Sequence, residues 1–252
     1  MKTVSWRNIV LAVIFGWMPF LLAAQTVPQI LQKMDAQEAS VKDKTANVVM
    51  EMINNSTGKV RTRKAVLKQK YPYKTLFRFT YPPSQAGIGT LSLPGGVVYL
   101  YMPAFGKPKK ISNLANGGAF SQSDFTTEDM GPKYWAKNYT GTLLRTNDTA
   151  YVLSLVPRAS ESKYSRLVVT VNKKHFFPQR IVYYDSSGKI MKEAGFRYQK
   201  QGTLWYARVA SMTNFRKNHT TRIINTQVKL NQGLKDSDFT VEKLVPAKSQ
   251  KK

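Results

Sequence analysis

Hydrophobic and polar positions alternate with a period of two along most of this chain. Phe77, Phe79 and Tyr81 fall on one side of a short segment, and Arg78 and Thr80 on the other. That is the pattern of a strand with one face covered. Residues 46–53 are rich in Val and Met, Asn54-Asn55-Ser56-Thr57-Gly58 is a turn cluster, and residues 59–71 return. Together they predict a β-hairpin. Residues 91–93, the turn Pro94-Gly95-Gly96 and residues 97–102 predict a second. Residues 97–102 are apolar on both faces, so both sides of that strand must be covered. After Tyr139 the strands resume at 140–145, 149–156, 165–171, 177–184, 190–198, 204–214 and 220–230. Their short spacing and turn-rich junctions predict an antiparallel meander. Residues 239–244 are expected to pair or dock at its end.

Two segments break this rhythm. Thr26-Val27-Pro28 opens a helix with Ile30, Leu31 and Met34 on one face. The polar run 35–43 is expected to fray or end it. Residues 112–138 are rich in Gly, Ser, Asn and Asp, and Thr126-x-x-Asp129 has the form of a helix start. This stretch reads as a loop with one or two short helices. Long structureless loops are uncommon in compact domains, so it is packed or functional.

The first 24 residues read as a signal peptide. Lys2 and Arg7 precede an apolar core up to Leu22, and Ala23-Ala24 offers a cleavage site. The apolar run is shorter than the roughly 20 residues of a spanning helix and contains Pro19. There is no cysteine, so neither lipid modification of an N-terminal cysteine nor disulfide stapling is open to this chain. The chain is expected to be a free monomer in the periplasm. Residues 25–245 would form one domain and 246–252 a basic disordered tail.

The formal net charge is +25, and removing Lys2 and Arg7 with the leader leaves +23. Such a charge draws anionic partners. Export argues against nucleic acid, which leaves an anionic membrane surface or an envelope polymer. The bases are spread along the chain, so many of them serve solvation and edge protection.

Catalytic signals are thin. His175 and His219 are the only histidines, and neither has a second imidazole at metal-ligand spacing. Asp124, Glu128 and Asp129 form an acidic cluster that could do acid–base work in an open cleft. In a Ser/Thr-rich loop such residues more often cap helix ends. No catalytic residue, metal or cofactor is expected. The aromatic and methionine content is the stronger lead, because these side chains adapt to flexible apolar ligands. Phe77, Phe79, Leu91, Tyr99, Tyr101, Met102, Phe120, Phe125, Met130 and Trp135 are the candidate lining of an apolar cavity.

Several loose motifs occur in an order that resembles one family. They are Phe77-Arg78-Phe79-Thr80-Tyr81-Pro82-Pro83, Gly89-Thr90-Leu91, the run from Val98 to Lys107, and Gly118 to Met130. Phe177-Pro178-Gln179-Arg180-Ile181, Tyr184 to Lys189 and Met212-Thr213-Asn214 follow, and then Asp236 to Thr240. This order resembles the outer-membrane lipoprotein-sorting (LolA-like) family. The resemblance implies a mainly β fold. Its core would be a strongly curved antiparallel sheet, an incomplete barrel, with the N-terminal helix and the 112–138 insertion as a lid. It implies a carrier of lipid or lipoprotein acyl chains between envelope membranes, with an inner-membrane exporter as a further partner. The alternative is an envelope protein that binds an anionic polymer or a membrane protein through its basic surface. N-terminal sequencing of the exported protein should give Gln25 first. An intact Met1 on a membrane-embedded chain would contradict the signal-peptide reading.

Overall fold

The structure, a computed structural model, describes residues 25–111 and 120–246. The leader, residues 112–119 of the insertion and residues 247–252 of the tail lie outside the described residues. Among the described residues thirteen strands form one antiparallel sheet. They are β1 (Asp43–Asn54), β2 (Val60–Lys70), β3 (Lys74–Tyr81), β4 (Gly89–Leu93), β5 (Val97–Tyr101), β6 (Lys109–Ile111) and β7 (Tyr139–Thr146). β8 (Ala150–Pro157), β9 (Arg166–Asn172), β10 (Pro178–Tyr184), β11 (Ile190–Gln201), β12 (Leu204–Asn214) and β13 (His219–Leu230) complete it. Their spatial order is β6-β5-β4-β3-β2-β1-β13-β12-β11-β10-β9-β8-β7. The sheet does not close, and its edges are β6 and β7. The pairing of β1 with β13 joins the first six strands to the meander.

One face of this sheet is apolar from β3 to β8. Cross-strand pairing aligns Phe79 with Ala65, Ala65 with Val48 and Met50 with Ile223. It also aligns Thr221 with Met212, Met212 with Ala194, Ala194 with Ile181 and Val169 with Leu153. Eight inter-strand steps of ~4.8 Å would spread this face over roughly 38 Å if the sheet were flat. A helix of thirteen residues, α1 (Val27–Ala39), is about 20 Å long. Ile30, Leu31 and Met34 of α1 nonetheless belong to the same buried cluster as Phe79 at one end and Leu155 at the other. The sheet therefore curls around α1.

α1 is longer than the polar run 35–43 predicted and continues through Glu38 to Ala39. Tertiary bonding explains the difference. Asp35 accepts hydrogen bonds from the backbone N–H groups of Trp135 and Ala136 at 2.7 and 2.9 Å. Those residues open a short helix, α3 (Trp135–Asn138), so Asp35 caps it from outside. A second short helix, α2 (Thr127–Met130), begins at the capping box that Thr126 and Asp129 predicted. Among the described residues no helix is long and apolar enough to cross a membrane.

The outer face of β3–β5 carries its own small core. Leu76, Leu91 and Tyr101 pack there with Phe239 and Leu244. Residues 239–244 do dock, and their last turn is the helix α4 (Val241–Leu244). Arg78 holds it down by donating to the carbonyls of Lys243 and Leu244 at 2.6 and 3.0 Å. Asp43 anchors the preceding chain by accepting from the N–H groups of Gln232, Gly233 and Leu234. Asp236 bonds Lys70 and Lys74, and these bonds pull its carboxyl down to about 2.

Gly141 on the edge strand β7 marks a close approach. A Cβ there would lie 2.1 Å from the Ser154 carbonyl oxygen and 2.6 Å from Leu155 Cδ2. The obstacle is the backbone of the paired strand, which cannot turn aside. Gly141→Ala should lower stability by about 1–3 kcal/mol, read as a reduced midpoint in thermal or urea unfolding. An unchanged midpoint would mean that β7 sits more loosely on β8.

Candidate functional site

The inner face of the curled sheet forms a trough. Val48, Met50 and Met52 on β1 line its floor with Met212, Leu153, Leu167 and Val169. Strict alternation puts them there, since every second residue of a strand shares a face. Ile30, Leu31 and Met34 of α1 descend into it, and so do Phe125 and Trp135. Leu153, Leu155, Leu167, Val169, Ala194 and Met212 have no exposed surface at all. No gap of solvent size remains beside them. A sheet of this curvature was expected to leave space that its own side chains do not fill. The structure instead shows the trough filled, because α1 supplies the missing volume.

The ten candidate lining residues do not share one space. Phe77, Phe79, Phe125 and Trp135 are buried in the trough cluster, and Phe120 packs against it. Phe77 meets the Phe79 and Phe120 rings edge-on at 5.1 and 5.3 Å, an arrangement aromatic quadrupoles favour. Leu91 and Tyr101 belong to the outer cluster, with Tyr99 packed against it. The register decides this. Leu91 pairs with Leu76 and with Tyr99, whereas Phe77 pairs with Thr90, and Thr90 with Leu100. Met102 is half-buried and belongs to neither cluster. Met130 is exposed, as is Tyr81 beyond a bulge opposite Lys64. The main additions to the lining are Met50, Met52, Met212 and the apolar face of α1. Alternation at Val48, Met50 and Met52 was the signal for the first two.

The described part of the insertion is held over the trough by buried polar contacts. Asp129 pairs with Lys192, and both side chains are almost wholly buried. Tyr164 donates to the other Asp129 oxygen at 2.9 Å, and the Thr126 N–H donates at 2.7 Å. Burial acts to raise the Asp129 carboxyl, but the Lys133 and Lys192 ammonium groups and the hydrogen bonds from Lys192 and the Thr126 N–H outweigh it and hold it below its usual range. Burial and the Asp129 charge push the Tyr164 phenol well up, which keeps it a donor. Lys192 also lies over the Tyr164 and Tyr183 rings at 5.0 and 5.3 Å. Asp124 contacts His219 Nδ1 at 2.6 Å and accepts from Thr221 at 2.7 Å. Glu128 accepts from Ser162 at 2.6 Å. Arg63 donates to Gln122 at 2.9 Å. Asp124 and Asp129 therefore hold the insertion to the sheet, and Glu128 holds it to the loop between β8 and β9.

An open antiparallel sheet curled round a covering helix is a LolA-like fold, and several solved structures share it. A domain from Vibrio parahaemolyticus assigned as an outer membrane lipoprotein-sorting protein is 26% identical with a TM-score of 0.77, over 86% of this chain and 97% of that one. A DUF1329 family protein from Desulfovibrio piger is 23% identical with a TM-score of 0.76, over 86% and 97%. A LolA superfamily protein from Nitrosomonas europaea is 20% identical with a TM-score of 0.69, over 86% and 98%. Residues 72–245 match a family model described as "Uncharacterized protein", and the chain belongs to that family. No curated protein matches it.

Asp129→Asn would leave the Lys192 ammonium buried without its counter-charge, at a cost of about 3–5 kcal/mol. The sign of the pH effect follows from the lowered carboxyl. Its stabilisation is complete above the unfolded carboxyl range, near pH 4, and is lost as the pH falls through the lower folded value. Unfolding midpoints from pH 7 to pH 2 should therefore drop less in Asp129→Asn than in the parent. Parallel profiles would show that Asp129 carries no such linkage.

Proposed function

We propose that the chain is a periplasmic carrier that takes lipid or lipoprotein acyl chains into the trough and moves them between envelope membranes. It acts as a binder rather than an enzyme, with residues 25–245 as the binding unit. The observation that carries this reading is the way the trough is covered. Its floor is a largely apolar sheet face, interrupted by Thr221 and Lys192, while α1 and the insertion cover it through side chains and caps rather than strand pairing. Such a cover can leave without breaking the sheet. The lipoprotein-sorting assignment of the Vibrio parahaemolyticus domain supports the same reading.

The magnitudes allow the exchange. Exposing Ile30, Leu31 and Met34 costs about 1.5–3 kcal/mol each, roughly 5–9 in all. An acyl chain of about sixteen carbons gains ~0.8 kcal/mol per buried methylene, roughly 13 in all. One chain outweighs displacement of α1. Displacing Phe120, Phe125 and Trp135 as well calls for a second chain, which a diacyl lipid provides.

The filled trough favours a second reading, in which the chain binds an anionic polymer or a membrane protein on its basic outside and carries nothing within. Two measurements separate them. Mass spectrometry of organic extracts from the purified protein should find lipid. Hydrogen exchange in α1 and residues 120–138 should then change on lipid addition while β1 and β13 stay protected. An empty extract with exchange unmoved by lipid would favour the surface binder.

A further inference from the structure

We infer that the groove between α1 and the turn joining β9 to β10 is the entry and headgroup site for an anionic phospholipid, an inference that rests on the carrier reading and names its ligand class. A shallow, open depression of about 350 Å³ lies between α1 and the turn, and a second depression continues from it along the outer side of α1, the two sharing Lys33 and Ala36. Lys174, His175 and Phe176 border the first, and glutamines of α1 border the second. Both depressions border α1, one of the two segments that the resemblance implies as the lid.

The turn is shaped to present these groups. Asn172 Oδ1 accepts from the N–H groups of Lys174 and His175 at 3.0 and 2.9 Å, and Phe176 N–H donates to the Asn172 carbonyl at 2.9 Å. Phe176 takes a left-handed conformation, φ +54°, which turns the chain sharply. Its ring stacks on Tyr151 at 6.4 Å, and both rings pack against the trough cluster. Phe176 is thus a boundary, with the groove on one side and the apolar interior on the other.

Three cations surround it. Lys33 Nζ lies 4.8 Å from the Phe176 ring centre and Lys173 Nζ 5.0 Å from that of Tyr151. Lys174 is exposed beside them. Among the described residues, none of the three forms an ion pair. In a chain with other lysines bound to carboxylates, Lys33 and Lys173 rest on aromatic faces instead. An anionic phosphate entering the groove would take them as counter-charges, and the glutamines would meet its polar glycerol. The first methylenes would then run along Phe176 and Tyr151 under α1. A cation stacked on a ring beside an apolar interior suits an amphiphile better than a free anion, which has no use for the rings.

Lys33→Ser/Lys173→Ser/Lys174→Ser tests the assignment with two labelled lipids of equal chain length, dioleoylphosphatidylglycerol and uncharged dioleoylglycerol. Phosphatidylglycerol loading should fall at least about tenfold, with dioleoylglycerol loading unchanged. Unchanged phosphatidylglycerol loading, or an equal fall for both lipids, overturns the site. A parent protein that loads dioleoylglycerol but not phosphatidylglycerol overturns the site and leaves the carrier reading standing. A parent that loads neither removes both. Binding of inorganic phosphate in the groove without phosphatidylglycerol loading overturns the lipid assignment in favour of a free anion. Should the triple variant unfold, Lys33→Gln and Lys174→Gln singly should each show a smaller, equally selective loss, and the absence of selectivity overturns the site.

Discussion

A curled sheet that does not close must find cover for its inner face, and the rest of this structure follows from that constraint. Alternation along the strands that lie from β3 to β8 in the sheet gathers Val, Met, Leu and Phe on one side. Curling brings that side together but leaves a trough no strand can fill. The missing volume comes from α1, whose Ile30, Leu31 and Met34 are as buried as any strand residue. The helix is tied to α3 by Asp35, so helix and insertion form one cover. The outer face of β3–β5, apolar for the same reason, is covered by the C-terminal segment through Phe239 and Leu244. Gly89 leaves room for that segment, since a Cβ there would stand 3.0 Å from Leu244 Cδ1.

The two covers are fastened differently. On the outer side Asp43 takes three backbone N–H groups and Arg78 grips two carbonyls, which fixes the main chain. On the inner side the links to the sheet run mostly between side chains, such as Asp129 with Lys192 and Asp124 with His219 and Thr221. Buried ion pairs contribute little net stability against a hydrophobic alternative, but they specify one arrangement strongly. A cover of this kind is well placed when closed and still removable, as the proposed loading requires.

The strands were legible because alternation is local: Phe77 and Phe79, or Met50 and Met52, declare a face without help from the rest of the chain. Turn chemistry at Asn54–Gly58 and Pro94–Gly96 set the hairpins. The lining of the trough was less legible. Residues 97–102 are apolar at every position, so nothing in them says which face Tyr99 and Tyr101 take; the pairing of Leu91 with Leu76 and Tyr99 decides it. The polar anchors were not readable at all, since Lys192 and His219 meet Asp129 and Asp124 from 63 and 95 residues away. The three-residue edge β6 gave no periodic signal. The end of α1 was misjudged for a related reason. Its last turn has no apolar residue facing the core and is supported by the bonds Asp35 makes to α3.

Photolabelling tests the central claim most directly. A phospholipid with a diazirine near the end of one acyl chain, loaded and irradiated, should attach to the inner face, at Met50, Met52, Phe77, Leu153 or Met212. Mass mapping of the digested protein would locate the adducts. Labels confined to the outer face of β3–β5 or to exposed basic loops, with the inner face unmarked, would contradict the account.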